Sequence, residues 1–370
     1  MGNRRANGEG CIYKQSNGKW RVVISVATGS GRKRISRVCD RRIDATAILE
    51  EMKADIRNST AVDADKLTVG KFLDDWLKTC VAQESAANTL ASYTNVVNTH
   101  ISPRIGGIFL KKLNSLHVQS AISGLVSDGI GGRTCENCYV VLKVALQKAV
   151  DFGLIARNPC AQVKRPRHQP KDAAPFSLQE ARTLISETVD TRWNALIVLA
   201  LTTGMRQGEL FGLEWESVDL DARTIRVAQQ AVEISGKVNI AATKTKSSVR
   251  TIELPQPAVE SLIRHRAILL REGHAGSKWV FPAPEGGLMS RGNFRTRVWN
   301  RLLNRLEFDH RGFHNCRHTF ASLAIGGGVP ITVVSKQLGH ANVTTTMNIY
   351  AHALATHQSA AVEKITAMFG

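Results

Sequence analysis

Four polar clusters in the C-terminal half of the chain stand where a packed core would take apolar residues. They are "TTGMRQGEL" with Arg206 and Glu209, "TKTKSSVR" with Lys244, "HNCRHTFAS" with His314 and Arg317, and "LGHANVTTTMNIYAH" with His340 and Tyr350. The set is rich in cations and imidazoles and holds no cluster of carboxylates. Two-metal phosphodiester chemistry holds its ions with acidic ligands, so this set argues against that route and for no metal or cofactor. A phosphodiester passing through a pentacoordinate transition state gains negative charge on its nonbridging oxygens, and arginines can hold those oxygens with paired N–H donors. A tyrosine hydroxyl can attack phosphorus and store the bond as a phosphotyrosine. A lysine can protonate the departing sugar oxygen, and a histidine can take the tyrosine proton.

These side chains need elements to position them, and the fold class expected is α+β. Ser177 and Glu180 in "SLQE" form a capping box that opens a mainly helical last domain, 171–370. Helices near 177–189 and 192–204 lead to Arg206, and the alternating valines and isoleucines from Arg223 to Leu254 read as a small three-stranded antiparallel sheet. Helices return after Pro255, with Pro330 at a helix start after a turn of glycines 326–328. Upstream, "TVGKFLDDWLKTC" places Val69, Phe72, Leu73, Trp76 and Leu77 at helical spacing. Further segments near 86–100, 115–126 and 133–152 continue an all-α module over 66–160, closed by the proline-rich basic stretch "RNPCAQVKRPRHQPKDAAP". The first segment, 1–60, reads as three strands around Trp20, Val22, Ile24 and Val26, followed by a helix capped by Asp44 and running to about Asn58; "STAVDADKL" reads as a linker.

Charge names the class of partner. The chain carries 49 Lys and Arg against 31 Asp and Glu, a net +18, and up to Arg42 only Glu9 and Asp40 are acidic. Such a balance calls for a polyanion, and a basic-faced sheet followed by a helix is large enough to grip a DNA groove, with Arg32, Lys33 and Arg34 as contacts. The longest apolar run, "ALIVLAL" from Ala195 to Leu201, is far short of the roughly 20 residues a membrane span needs, so no membrane is expected. The N-terminus has no apolar signal region, and seven scattered cysteines suit reduced thiols, which points to the cytoplasm.

Taken in order with their neighbours, the clusters resemble the tyrosine recombinases, the lambda-type phage integrases. The family pattern of Arg, Lys, His-x-x-Arg, His/Trp and Tyr falls on Arg206, Lys244, His314 and Arg317, His340 and Tyr350, supported by "TGMRQGEL", "HTFAS", "LGH" and "MNIYAH". The resemblance implies that Tyr350 is the nucleophile, forming a 3′-phosphotyrosyl link and freeing a 5′-hydroxyl, while Arg206 and Arg317 clamp the phosphate. It makes Lys244, on a turn between strands, the general acid, His314 a base and His340 a phosphate ligand, with Glu209 as a supporting residue. Lys246 lies in the same "TKTKSS", and the family's Lys-Thr dipeptide selects Lys244. Cys316 stands where the family usually has Leu, a change for packing rather than catalysis. The helical module resembles the family's core-binding domain and the first segment its arm-binding domain. Four protomers on core-type and arm-type att sites would then pass through a Holliday junction, integrating or excising a phage or mobile element. A host bending protein and a directionality factor are possible partners.

Taken alone, each of these residues has an ordinary structural reading. A tyrosine near a chain end is commonly a packing residue, and only its place in the ordered set makes Tyr350 a nucleophile. His310, His318 and His352 read as surface or core histidines, and "CENC", Cys135 to Cys138, as core thiols without a second ligand pair for zinc. "THQSAAVEKITAMFG" is amphipathic, and either packs on its own domain or docks on a neighbouring protomer. Two rival functions remain: a type IB topoisomerase, which relaxes DNA with the same residue types, and a non-catalytic DNA-binding architectural or repressor protein. The separate N-terminal sheet and "LGH" favour the integrase over the first, and the complete set of six over the second.

Overall fold

The structure is a computed structural model. It describes residues 10–16, 18–28, 31–168, 175–234, 236–242, 249–340, 342–344 and 346–347, with the side chains of 25–28, 31–34 and 54–65 left outside. The chain divides into two compact units, 1–170 and 171–370.

The first unit opens with strands β1 (Cys11–Lys14), β2 (Trp20–Thr28) and β3 (Gly31–Cys39), an antiparallel meander in sequence order. Val22 and Ile24 alternate into a small core with Ala45 and Met52 of helix α1 (Arg42–Asp65), as period-two patterning requires. Arg42 lies over the Trp20 ring at 5.6 Å. Helix α1 departs from the sequence expectation at both ends. Asp44 sits inside its first turn, accepting from the Arg41 side chain at 3.0 Å rather than capping a backbone N–H. The stretch expected as a linker extends the helix to Asp65, because "STAVDAD" holds no Gly or Pro to stop it.

Helices α2 (Val69–Trp76), α3 (Ala82–Glu84), α4 (Ala87–Val96), α5 (Ser102–Ile105), α6 (Ser115–Ser127) and α7 (Gly132–Asp151) follow, with single π turns at Leu77–Val81 and Val97–Ile101. Their apolar faces meet in a second core holding Phe72, Leu73, Trp76, Leu142 and Leu146, where Trp76 stacks on Tyr93 with centroids 5.8 Å apart. Cys135, Cys138 and Cys160 are fully buried in this core. The Tyr139 hydroxyl lies 3.1 Å from the carbonyls of both Cys160 and Val163, tying the segment after α7 back onto it.

The second unit begins with helix α8 (Leu178–Ser186), whose capping box is complete: Ser177 Oγ accepts from Glu180 N at 3.1 Å and Glu180 Oε2 accepts from Ser177 N at 2.7 Å. Helix α9 (Asn194–Thr203) is apolar all round and runs through the core, against Phe211, Phe281, Phe294 and Trp299. Helix α10 (Gln207–Phe211) follows, then β4 (Val218–Asp219), β5 (Thr224–Val227), β6 (Gln229–Ile234), β7 (Lys237–Ala242) and β8 (Arg250–Glu253). Here the expected single three-stranded sheet is two structures: β4-β5-β8 form one sheet and β6–β7 a separate hairpin. Ala231 and Val232, adjacent and both buried, break the two-residue alternation, so the chain leaves the first sheet after Val227 and β8 returns to pair with β5. Helices α11 (Gln256–Arg271), α12 (Arg291–Phe294), α13 (Asn300–Arg305), α14 (Asn315–Gly326) and α15 (Ile331–Leu338) complete the described fold. No helix among the described residues is long and apolar enough to cross a membrane.

Candidate active site

Two helices of the second unit end on left-handed glycines, and both ends face arginines. Helix α9 stops at Gly204, φ 67°, where a Cβ would meet Phe320 Cδ1 at 2.5 Å and Leu338 Cδ2 at 2.8 Å. The chain then turns into α10, so that Arg206 precedes its first residue. Arg206 N donates to Glu209 Oε2 at 2.9 Å and Arg206 Nη1 to Glu209 Oε1 at 2.8 Å, which fixes the guanidinium beside its own turn. Helix α15 stops at Gly339, φ 68°, and His340 follows.

The carbonyls left unpaired at the end of α15 are taken by three arginines in succession. Arg250 Nε donates to Gln337 O at 2.6 Å, Arg317 Nη2 to Leu338 O at 2.8 Å and Arg206 Nη2 to Gly339 O at 3.1 Å. A helix C-terminus carries partial negative charge and orphan acceptors, so it orders cations that would otherwise repel one another. Arg317, in the first turn of α14, also donates from Nη1 to Gly204 O at 2.8 Å, joining both glycine-ended helices through one side chain. Arg317 and Arg250 are almost wholly buried, while the Arg206 side chain is 32% exposed and forms the open edge of the cluster.

Electrostatics follow from this crowding. Glu209 is buried; desolvation pushes its carboxyl up, but the hydrogen bonds and charge of Arg250, joined by those of Arg206, outweigh it and hold the group below the usual carboxylate range. The His314 ring is pushed down to about 4 by desolvation and by the charges of His318, Arg317, Arg206 and Arg291, although the residue keeps an exposed face. His340 is pushed down to about 4 by desolvation and by Arg317, Arg206, His318 and Arg250. Both imidazoles are therefore neutral at pH 7 in the absence of an anion. His340 Nδ1 lies 2.7 Å from the hydroxyl of the buried Thr346, and the rings of His314 and His318 meet edge to face at 5.0 Å. Neutral imidazoles beside held guanidiniums make a receptor for an oxyanion, with proton acceptors already in place.

The structure thus brings together Arg206, Glu209, His314, Arg317 and His340 of the residues expected from sequence. Lys244 and Tyr350 lie outside the described residues, as does Lys246. Arg32, Lys33 and Arg34 fall on β3, opposite Ala27, Val26 and Ser25 of β2, with their side chains outside the description.

Two further residues were missed. Arg250 shares the inward face of its strand with the buried Ile252 and Leu254, and an arginine in register with core residues is the signal that could have found it. Arg291 opens α12; its backbone N–H and the Ser290 hydroxyl both donate to Glu233 of β6, at 3.1 Å each to the nearer oxygen. Its guanidinium lies where a Cβ on Gly208 would approach Nη2 at 2.6 Å, beside the first turn of α10. Nothing in its local sequence marks it. Among the described residues no three His, Cys, Asp or Glu side chains gather as a metal-binding group.

Comparison with known proteins adds to this geometry. Residues 176–357 match the profile of the "Phage integrase family", and 68–126 match "Phage integrase, N-terminal SAM-like domain". The chain is 28% identical to a tyrosine recombinase XerC-like protein of Caldanaerobacter subterraneus subsp. tengcongensis, over 95% of this chain and 97% of that protein. It is 22% identical to the ICEBs1 integrase of Bacillus subtilis, over 96% and 98% respectively. Among solved structures, the Tn1549 transposon integrase in complex with a circular intermediate DNA superposes with a TM-score of 0.69 at 22% identity, covering 81% of this chain and 99% of that one. A lambda integrase tetramer bound to a Holliday junction superposes with a TM-score of 0.59 at 19% identity, covering 94% and 96%. These superpositions establish a shared fold.

Proposed function

Because the chain belongs to the phage integrase family of tyrosine recombinases, we propose that its arginine cluster holds the scissile phosphate of a DNA crossover site for attack by Tyr350. The enzyme is a tyrosine-type site-specific recombinase that serves integration or excision of a mobile element. In our reading Arg206 and Arg317 bind the nonbridging oxygens and offset the charge that grows on them. Neutral His314 takes the Tyr350 proton as the oxygen attacks phosphorus. The bond to the 5′ oxygen breaks, Lys244 supplies that oxygen with a proton, and a 3′-phosphotyrosyl link remains. In the tautomer we assign to His340, Nδ1 accepts from the Thr346 hydroxyl 2.7 Å away and the Nε2–H donates a hydrogen bond to the phosphate. The reverse steps with a new 5′-hydroxyl rejoin the strand, so no cofactor or metal is required.

The observation that carries this reading is the row of three arginines on the consecutive carbonyls of 337–339, with His340 next in the chain. It supports a preorganised anion site, which is where transition-state stabilisation comes from. Further parts of the reading are also proposals. Residues 1–60 act as an arm-type DNA-binding domain through Arg32, Lys33 and Arg34, 66–160 as the core-binding domain and 171–370 as the catalytic domain. Four protomers assemble on two duplexes in the cytoplasm and exchange strands through a Holliday junction, with a bending protein and a directionality factor as accessory partners. The DNA complexes and the tetramer of the superposed integrases support the DNA partner and the assembly.

Replacement of Tyr350 by Phe tests the centre of the proposal. On a nicked duplex carrying the crossover core, Y350F should bind as the parent does and form no covalent adduct on a denaturing gel. Adducts persisting in Y350F would remove Tyr350 as the nucleophile.

A further inference from the structure

Among the described contacts, Arg250 makes three side-chain hydrogen bonds within the cluster. It stands at the start of β8, yet its guanidinium reaches two elements distant in sequence. Nε donates to Gln337 O at 2.6 Å, while Nη2 and Nη1 donate to Glu209 Oε2 at 2.9 Å and Oε1 at 3.2 Å. Both carboxylate oxygens also serve Arg206, one accepting from its backbone and the other from its guanidinium. The carboxylate that aims Arg206 is therefore itself held in a two-pronged grip by Arg250. On its other edge the same guanidinium fixes the last turn of α15. A Cβ on Gly339 would come within 3.1 Å of Arg250 Nη1, so the turn that delivers His340 is built around this side chain.

Nε, Nη1 and Nη2 of Arg250 all donate to protein acceptors, so this guanidinium is committed to holding its neighbours. Resting on the reading that Arg206 and His340 bind the scissile phosphate, we propose that Arg250 is a positioning residue for strand cleavage. One guanidinium sets the direction of Arg206, through Glu209, and the place of His340, through the α15 turn. Two phosphate-facing groups, Arg206 and His340, therefore share one reference point. Only a planar fork can meet a carbonyl on one edge and both oxygens of a carboxylate on another; a lysine ammonium is a point charge and cannot.

The test follows from that difference. Arg250→Lys keeps the positive charge and loses the fork. With a nicked duplex carrying the crossover core read from the DNA flanking the coding sequence, R250K should bind within about threefold of the parent. It should form the Tyr350 adduct about a hundredfold more slowly at saturating DNA, the scale expected when a reacting group is misplaced by about an ångström. Glu209→Gln should show the same split. The double variant should be no slower than the slower single, because both act on Arg206 through one contact.

Equal cleavage rates in R250K and the parent at saturating DNA would overturn the proposal, and so would single-variant losses that multiply. Should R250K not fold, Arg250→Ala supplied with ethylguanidinium replaces it: the rate should return with that ion and not with ethylammonium, and equal return with both would overturn the proposal. A parent protein that forms no Tyr350-dependent adduct would instead sink the underlying reading. The two failures are therefore told apart by the parent lane.

Discussion

Two sets of arginines in the second unit are built on opposite terms. Arg206, Arg250 and Arg317 converge on the carbonyl ends of α9 and α15 and on Glu209, each with named acceptors at 2.6 to 3.2 Å. Arg297 and Arg301 instead run along one face of the helical stretch ending in α13, exposed, lining a shallow groove with Thr188, Thr191 and Trp193, while Arg305 of the same groove, also exposed, donates to Glu187 O at 3.0 Å. The first set lies at the Gly204 end of α9 and the second beside Trp193 at its start, so a ten-residue helix, about 15 Å long, separates them. The lesson is that charge alone does not define a site. A cation stripped of water and given fixed acceptors is a geometric tool for a transition state, whereas a solvated one contributes a screened, long-range pull on a polyanion.

The largest expected effect breaks the first set. Arg317→Ala removes donors from Gly204 O and Leu338 O and leaves both near-buried carbonyls unpaired. Adduct formation at saturating DNA should fall about a thousandfold, the upper range for one lost transition-state donor, and thermal stability should fall by roughly 1–3 kcal/mol for each orphaned group. A rate within tenfold of the parent would show that Arg317 is mere scaffold. Next comes pH. His314 and His340 have folded values pushed down to about 4, so the unfolded chain binds their protons first as pH drops. Their contribution to stability is complete above the ordinary histidine range near 6.5 and is lost as pH falls from there toward 4. Denaturant titrations at pH 7, 6 and 5 should show this decline, and the variant carrying His314→Gln and His340→Asn should flatten it. DNA phosphate favours the protonated rings, so binding near pH 5 should take up protons, which calorimetry in two buffers would register. A flat stability profile in the parent would remove the crowded-cation account.

How much of this was legible beforehand depends on whether a residue's role is local. The helices of the segment after Leu67 announce themselves by period, because Val69, Phe72, Leu73 and Trp76 all bury on one face. That Arg206, His314, Arg317 and His340 belong to one cluster was legible from residue type and order, and the structure brings these four together. Arg250 was not, because its partners lie 41 and 87 residues away and no short motif encodes a contact of that span. The division of the strands into a sheet and a hairpin was hidden for a related reason: alternation predicts strands but not which strand returns to which. Helix α1 outran its expected end because polar composition resembles a linker even where nothing in it breaks a helix.

Arg291 stands between the two sets and sharpens the contrast. It is exposed like the groove arginines, yet it lies over Gly208 and its charge reaches His314. Arg291→Gln should weaken binding to a core duplex and lower the slope of log affinity against log salt by about 1, as for one lost phosphate contact. An unchanged slope would assign Arg291 to packing.

The smallest effect belongs to the groove. Replacing Arg297 and Arg301 together by Gln removes two solvated charges remote from Gly204 and leaves the carbonyl-bound arginines untouched. Affinity for DNA at low salt should fall only a few fold, with the difference vanishing as salt screens it over a Debye length of about 8 Å near 0.15 M. Cleavage at saturating DNA should stay at the parent rate, because no atom of the carbonyl-bound arginine cluster has moved. If that rate dropped with the double variant, positioned and solvated arginines would not act separately. The groove would then have to touch the reacting complex, through DNA or through a second protomer, and a nuclease footprint with and without the two substitutions would tell which.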